Sequence, residues 1–150
     1  MKTALITGAS GEIGAAIARH FAGAGYGVAA HGAKHFEAAQ ALAASLRESG
    51  RTAVAVQGDL SDPETCARVF SESEAALGPI DVLVNGAGMS LVDFFDAVSP
   101  ADWSALVGTN LSSAVWLSQC AARSMIRRKA GAIVNISSIW GVSGAAMRSE

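Results

Sequence analysis

A doubly wound α/β fold, a parallel sheet with helices packed on both faces, is what this 150-residue sequence predicts. Three observations predict it. Short apolar runs alternate along the chain with longer stretches of helical character, the runs are apolar throughout rather than at every second residue, and the first run stops abruptly at a glycine cluster. Strands that alternate with helices pair in parallel through crossovers, and a strand that is apolar at every position needs cover on both sides.

The strands are expected at Ala4–Ile6, Val28–Ala30, Ala53–Val56, Ile80–Val84 and Ala132–Ile136, each bounded by glycine or polar residues. Helical stretches lie between them, from Ile13 to Gly25, Phe36 to Ser49, Pro63 to Leu77 and, longest, Asp102 to Lys129. Local signals agree. Ser61-Asp62-Pro63-Glu64 supplies a side-chain cap, a proline whose missing N–H costs nothing in a first turn, and an acid beside the positive helix end. Ser99-Pro100-Ala101-Asp102 repeats the arrangement, and Arg127-Arg128-Lys129 before Gly131 reads as a solvated positive cap on the last helix.

Hydrophobic residues make up 51% of the chain and charged residues 16%, so the composition is globular, and the length suits one domain over residues 1–150. A net charge of -2 and a pI near 5.9 give no clustered positive charge for a nucleic acid or an acidic membrane surface. Cys66 and Cys120 fall in helical stretches, read as buried thiols, and lack the paired spacing of a zinc or redox site. No apolar run approaches the roughly 18–20 residues of a membrane span, and a cytoplasmic protein is expected.

A strand that feeds a glycine loop into a helix presents unpaired backbone N–H groups and the positive helix end to a phosphate. Ala4-Leu5-Ile6-Thr7-Gly8-Ala9-Ser10-Gly11-Glu12-Ile13-Gly14 has that form. It makes the expected fold a Rossmann-type sheet, incomplete on its C-terminal side because further strands and helices would be needed to cover and extend it.

Thr7-Gly8-Ala9-Ser10-Gly11-Glu12-Ile13-Gly14 resembles the TGxxxGxG motif of the short-chain dehydrogenase/reductase family. Asn85-Gly86-Ala87-Gly88 looks like that family's NNAG after the fourth strand, and Gly58-Asp59-Leu60 fits the third-strand position that holds the adenine. Asn110 matches the asparagine of the long helix, and Asn135-Ile136-Ser137-Ser138 matches the serine-bearing end of the fifth strand. The texture is most similar to the 3-oxoacyl-(acyl-carrier-protein) reductases within the family. Two departures stand out: Glu12 occupies the family's middle glycine, and Gly86 its second asparagine.

The resemblance implies a carbonyl reduction with a nicotinamide coenzyme, on a small-molecule or acyl-carrier-bound substrate such as a 3-oxoacyl thioester, by a homo-oligomer when full length. Coenzyme contacts would fall on Gly8, Ser10, Gly11, Ile13, Gly14, Asp59, Leu60, Asn85, Gly86, Ala87 and Gly88. At the end of the second strand, His31-Gly32-Ala33-Lys34-His35 has no acid for an NAD ribose hydroxyl, whereas Lys34 offers a cation to a 2′-phosphate. NADP is therefore expected over NAD. Ser138 would hydrogen-bond the substrate carbonyl and Asn110 would support a water relay and the helix geometry. The family's tyrosine proton donor, with a lysine four residues later, would by spacing fall just beyond Glu150, so the 150 residues are expected to be the amino-terminal part of an enzyme. The alternative is a catalytically inactive nucleotide-binding fragment or pseudo-enzyme.

Overall fold

The computed structural model describes residues 1–143; the remaining stretch up to Glu150, next to which the tyrosine was expected, lies outside the described residues. Five parallel strands, β1 (Thr3–Ile6), β2 (Gly27–Gly32), β3 (Ala53–Gln57), β4 (Val82–Asn85) and β5 (Ala132–Asn135), form one sheet in the order β3-β2-β1-β4-β5. The chain turns from one half of the sheet to the other between β1 and β4, and such switch points open a crevice at the carboxyl ends of the strands.

The alternating faces of the strands explain the two helix layers. Ala4, Ile6, Val28, Ala30 and Val84 point to one side, where helices α1 (Glu12–Gly23) and α2 (Phe36–Glu48) cover them. Leu5, Ala29, Val56 and Leu83 point to the other, beneath α3 (Pro63–Leu77) and α5 (Ser113–Arg128). In α1 the buried residues are Gly14, Ala18 and Ala22, spaced four apart, and this small-residue stripe lets the helix lie close on the sheet. Leu5, Ile6, Leu83 and Leu117 are fully buried, each contributing about 1.5–3 kcal/mol by leaving water.

Several expected boundaries shift. Strand β2 runs past Ala30 to include His31 and Gly32, β4 starts at Val82 instead of Ile80, and β5 ends at Asn135. The stretch Asp102–Lys129 is not one α-helix: α4 (Pro100–Val107) passes through a five-residue π-helical turn, Gly108–Ser112, into α5. Gly108 lies against Ser61, where an added Cβ would come within 3.0 Å of the serine Cβ, and the Ser113 hydroxyl donates to Thr109 O at 2.6 Å inside the turn. Both contacts accompany a local widening of the helix.

Arg128 is also not a solvated cap. Its Nη1 pairs with Asp81 Oδ1 at 2.7 Å and its Nη2 donates to Ile80 O at 2.5 Å, while Asp81 Oδ2 accepts from Thr3 N at 3.0 Å. This ties the end of α5 to the beginnings of β4 and β1, opposite the crevice. Cys66 is buried, and burial pushes its thiol up to about 11, with Cys120 the next contributor; Cys120 itself is partly exposed rather than buried. Ile133 and Val134 of β5, the edge strand, are exposed, so full cover of both faces holds for the central strands and not here. Among the described residues no helix is long and apolar enough to cross a membrane.

Candidate functional site

The crevice begins where β1 and β4 end side by side. Thr7 stitches them: its Oγ1 donates to Val84 O at 3.2 Å and accepts the amides of Gly86 at 2.9 Å and Ala87 at 3.0 Å. Gly8 follows with φ +71°, and a Cβ there would come within 2.6 Å of Gly86 O. Glycine is thus required twice over, by conformation and by the closeness of the two loops. Gly86 in turn lies against Thr7 O, and Gly88 against Asn110 Oδ1.

The loop then winds into α1. Gly11 N donates to Gly8 O at 3.1 Å, and Gly14 packs so tightly on the Gly8 carbonyl that any side chain would collide with it. Gly11 is the N-cap residue and brings no side-chain acceptor, whereas α3 and α4 are capped by Asp62 and Ser99. The first-turn amides of α1 therefore face outward for an anion, with the positive helix end behind them. Glu12 is exposed and lines a second hollow of about 480 Å³, between the outer side of the glycine loop at Ser10 and Gly11 and Arg19 and Ser45 of α1 and α2. Ile13, in the same first turn, is exposed.

From this loop a cleft of about 740 Å³ extends across the carboxyl ends of β1, β2, β3 and β4. Gly8 and Ser10 contribute from the first loop, His31, Lys34 and His35 from the end of β2, Gly58, Asp59 and Leu60 from the end of β3, and Ala87, Gly88 and Met89 from the loop after β4. Asp59 Oδ1 accepts from Ser61 N at 3.0 Å and Ser61 Oγ at 2.8 Å. These bonds, with a smaller effect of Lys34, hold its carboxyl below the usual carboxylate range. Lys34 is exposed at the mouth. Arg68 also lines the cleft, but its guanidinium is engaged with Glu72 at 2.9 Å and with Gln57 O at 3.0 Å.

The residues toward β5 brace the site. Asn85, 7% exposed, donates through Nδ2 to Asn135 Oδ1 at 2.8 Å and to Ser118 Oγ at 3.2 Å, and its own Oδ1 is buried with no hydrogen-bond partner among the described residues. Asn110 sits in the π-helical turn, where its side-chain amide is bonded to the Met89 backbone. The Ser138 hydroxyl accepts from Trp140 N at 3.2 Å and caps the 3-10 turn Ile139–Gly141.

The cleft thus gathers Gly8, Ser10, Lys34, Asp59, Leu60, Ala87 and Gly88 of the expected residues, with the Leu60 side chain itself in the core. Gly11, Ile13 and Gly14 form the entrance to α1, and Asn85, Gly86, Asn110 and Ser138 stand outside the cleft lining. Sequence reasoning did not single out Thr7, His31 or Met89 as site residues. For His31 a signal existed: a lone polar residue, followed by glycine, at the end of an apolar strand.

The strand order and the glycine turn at the switch point define a Rossmann-type α/β domain with a crevice at the carboxyl ends of its strands. The chain belongs to the short chain dehydrogenase family, whose sequence pattern it matches over residues 2–150. It is 41% identical over 145 residues to "Nodulation protein G" of Azospirillum brasilense, covering 97% of this chain and 59% of that protein. It is 34% identical over 143 residues to 3-oxoacyl-[acyl-carrier-protein] reductase FabG of Staphylococcus aureus (strain Mu50), covering 95% of this chain and 58% of that protein. The crystal structure of a metagenomic short-chain oxidoreductase in complex with NADP superposes with a TM-score of 0.89 at 36% identity, over 97% of this chain and 65% of that one. The chain therefore spans less than two thirds of the length of these relatives.

Proposed function

We propose that residues 1–150 are the coenzyme-binding part of an NADP-dependent oxidoreductase that reduces a carbonyl to a hydroxyl, with a 3-oxoacyl thioester as substrate. One observation carries the reading: the glycine turn, Lys34, the Asp59–Leu60 strand end and the Ala87–Gly88 loop converge on one cleft. Its volume lies within the roughly 300–1,000 Å³ of small-molecule and cofactor sites. The residues fit a dinucleotide, since the α1 amides are left without a side-chain cap and Ser10, Lys34 and Asp59 line the same cleft.

In this reading the first turn of α1 holds the diphosphate and Lys34 meets the 2′-phosphate, for which no acid stands in the way at the end of β2. Asp59 and Leu60 flank the adenine, and Asn85 to Gly88 support the nicotinamide side. Bound NADPH supplies the hydride. Ser138 holds the substrate carbonyl, Asn110 fixes the loop after β4, and the proton comes from a tyrosine beyond Glu150, assisted by a lysine. The thioester substrate is supported by the likeness to the 3-oxoacyl-[acyl-carrier-protein] reductase.

The test follows NADPH absorbance with the full chain, extended past Glu150, and an acetoacetyl thioester. Turnover with NADPH well above that with NADH is expected. Coenzyme binding without turnover would contradict the substrate, and no binding of either coenzyme would contradict the whole reading.

A further inference from the structure

We infer that His31 is a positioning residue for the coenzyme site, a neutral imidazole that holds the Gly8 turn in place, and that protonating it releases the turn and weakens nucleotide binding. The inference rests on the reading of the cleft as a dinucleotide site.

The geometry fixes the form of the ring. His31 is 2% exposed, with Nε2 at 2.9 Å from Gly58 O and Nδ1 receiving the Gly8 amide at 3.3 Å. A carbonyl oxygen can accept but not donate, so Nε2 carries a hydrogen; an amide can donate but not accept, so Nδ1 carries a lone pair. Both bonds together are satisfied by one state, the neutral Nε2–H tautomer. A second proton would place an N–H at Nδ1 head-on against the Gly8 N–H, and the bond would be lost.

The loss would be felt at the phosphate end of the cleft. His31 grips two successive amides, Gly8 through its ring and Ala9 through its own carbonyl at 2.8 Å. The carbonyl of Gly8 then accepts from Gly11 and is the surface on which Gly14 packs. The orientation of the Gly8 peptide thereby sets where α1 starts and where its first-turn amides point.

Burial pushes the imidazole pKa below its ordinary value, while the Gly58 bond and the Asp59 carboxylate partly oppose that. The other charged and titratable groups that line the same cleft are Lys34 and His35 after β2 and Arg68 on α3. On the side of the loop, the first charged residue is Glu12, which lines the other hollow. His31 is thus neutral near neutral pH, and binding is lost as the pH falls through its pKa.

The experiment measures NADP+ and NAD+ affinity calorimetrically for the full-length protein, from about pH 8 down to about pH 4, which extends below the range of an unperturbed imidazole because burial lowers this one. NAD+ serves as the control, because the 2′-phosphate of NADP+ ionises near pH 6 like other phosphate monoesters. Affinity for both nucleotides is expected to fall by up to about tenfold per pH unit below the imidazole pKa, as one-proton linkage requires. His31→Asn keeps an acceptor for Gly8 that does not titrate, and should bind NAD+ with little dependence on pH. His31→Leu should bind weakly throughout.

Affinity that rises in acid, as a cationic ring facing a phosphate would give, overturns the inference, as does His31→Asn following the wild-type curve. Failure of both nucleotides to bind at pH 8 overturns the dinucleotide reading, and this proposal with it. A nucleotide-free measurement separates the two: ring-15N NMR of histidine-labelled protein, with His31→Asn identifying the signal, should show Nε2–H with bare Nδ1 at pH 7. The Nδ1–H tautomer or the cation at that pH contradicts the positioning role independently of any ligand.

Discussion

Asn110 closes a two-bond clamp on Met89, its Nδ2 donating to Met89 O at 2.8 Å and its Oδ1 accepting from Met89 N at 2.8 Å. The clamp spans from the π-helical turn to the loop after β4 and uses one N–H and one lone pair of the side-chain amide, which leaves a second N–H and a second lone pair. In the proposed enzyme this asparagine acts on the loop after β4 through its side chain.

Asn110→Ala removes both bonds at an exposed site. Each is worth about 0.5–1.5 kcal/mol net when well made, and solvent lowers that, so global stability should drop by about 1 kcal/mol. The Met89 amide should exchange with solvent much faster than in the wild type. Unchanged exchange at Met89 would show that the loop is held by something else.

Gly14→Ala should be among the most damaging small substitutions in the chain, because the new methyl group meets the Gly8 carbonyl with no flexible side chain to yield. Overpacking of this kind costs about 1–3 kcal/mol. Gly23→Ala, in the same helix with nothing within 4 Å of the added carbon, should instead leave stability equal or raise it by up to about 1 kcal/mol. Urea unfolding of the two variants checks the contrast.

Asp62 caps α3 by accepting from Thr65 N at 2.7 Å, and the Thr65 side chain first, with this amide after it, holds its carboxyl below the usual range. A depressed folded pKa means that the charged cap stabilises the fold above the ordinary carboxylate pKa, and that this contribution disappears as the pH falls through the folded value. Asp62→Asn keeps an acceptor without a charge. The wild type should be the more stable at pH 6, and the difference should vanish in acid, as read from urea midpoints across that range.

Lys34→Ala should weaken NADP+ by about tenfold or more, the size of a lost charge-assisted bond, and change NAD+ little. Parallel titrations with the two nucleotides decide this. Equal losses for both would remove Lys34 as the 2′-phosphate partner.

Much of this architecture is written locally. The cap of α3 was visible in Ser61-Asp62-Pro63-Glu64, and the helix spans Pro63–Leu77 as its signals indicated. The buried strands β1 and β2 show as apolar runs because both of their faces are covered. What escaped depends on partners distant in sequence. The π-helical turn accompanies Gly108 lying against Ser61, and Arg128 turns inward because Asp81 waits beside β4; neither neighbour leaves a mark on the helix's own periodicity. His31 extends β2 because its ring is satisfied by Gly8 and Gly58, 23 and 27 residues away. The exposed Ser138 illustrates the opposite case: the sequence pattern points to it, while its structural contact is a modest turn cap.

A crystal structure of the full-length protein with NADP+ tests most directly whether the glycine turn and the start of α1 receive the diphosphate. Electron density for the two phosphates against the amides of Gly11 to Gly14, with the 2′-phosphate beside Lys34, is the predicted result. Nucleotide density elsewhere on the protein, or a diphosphate kept off those amides by the Glu12 carboxylate, would contradict it.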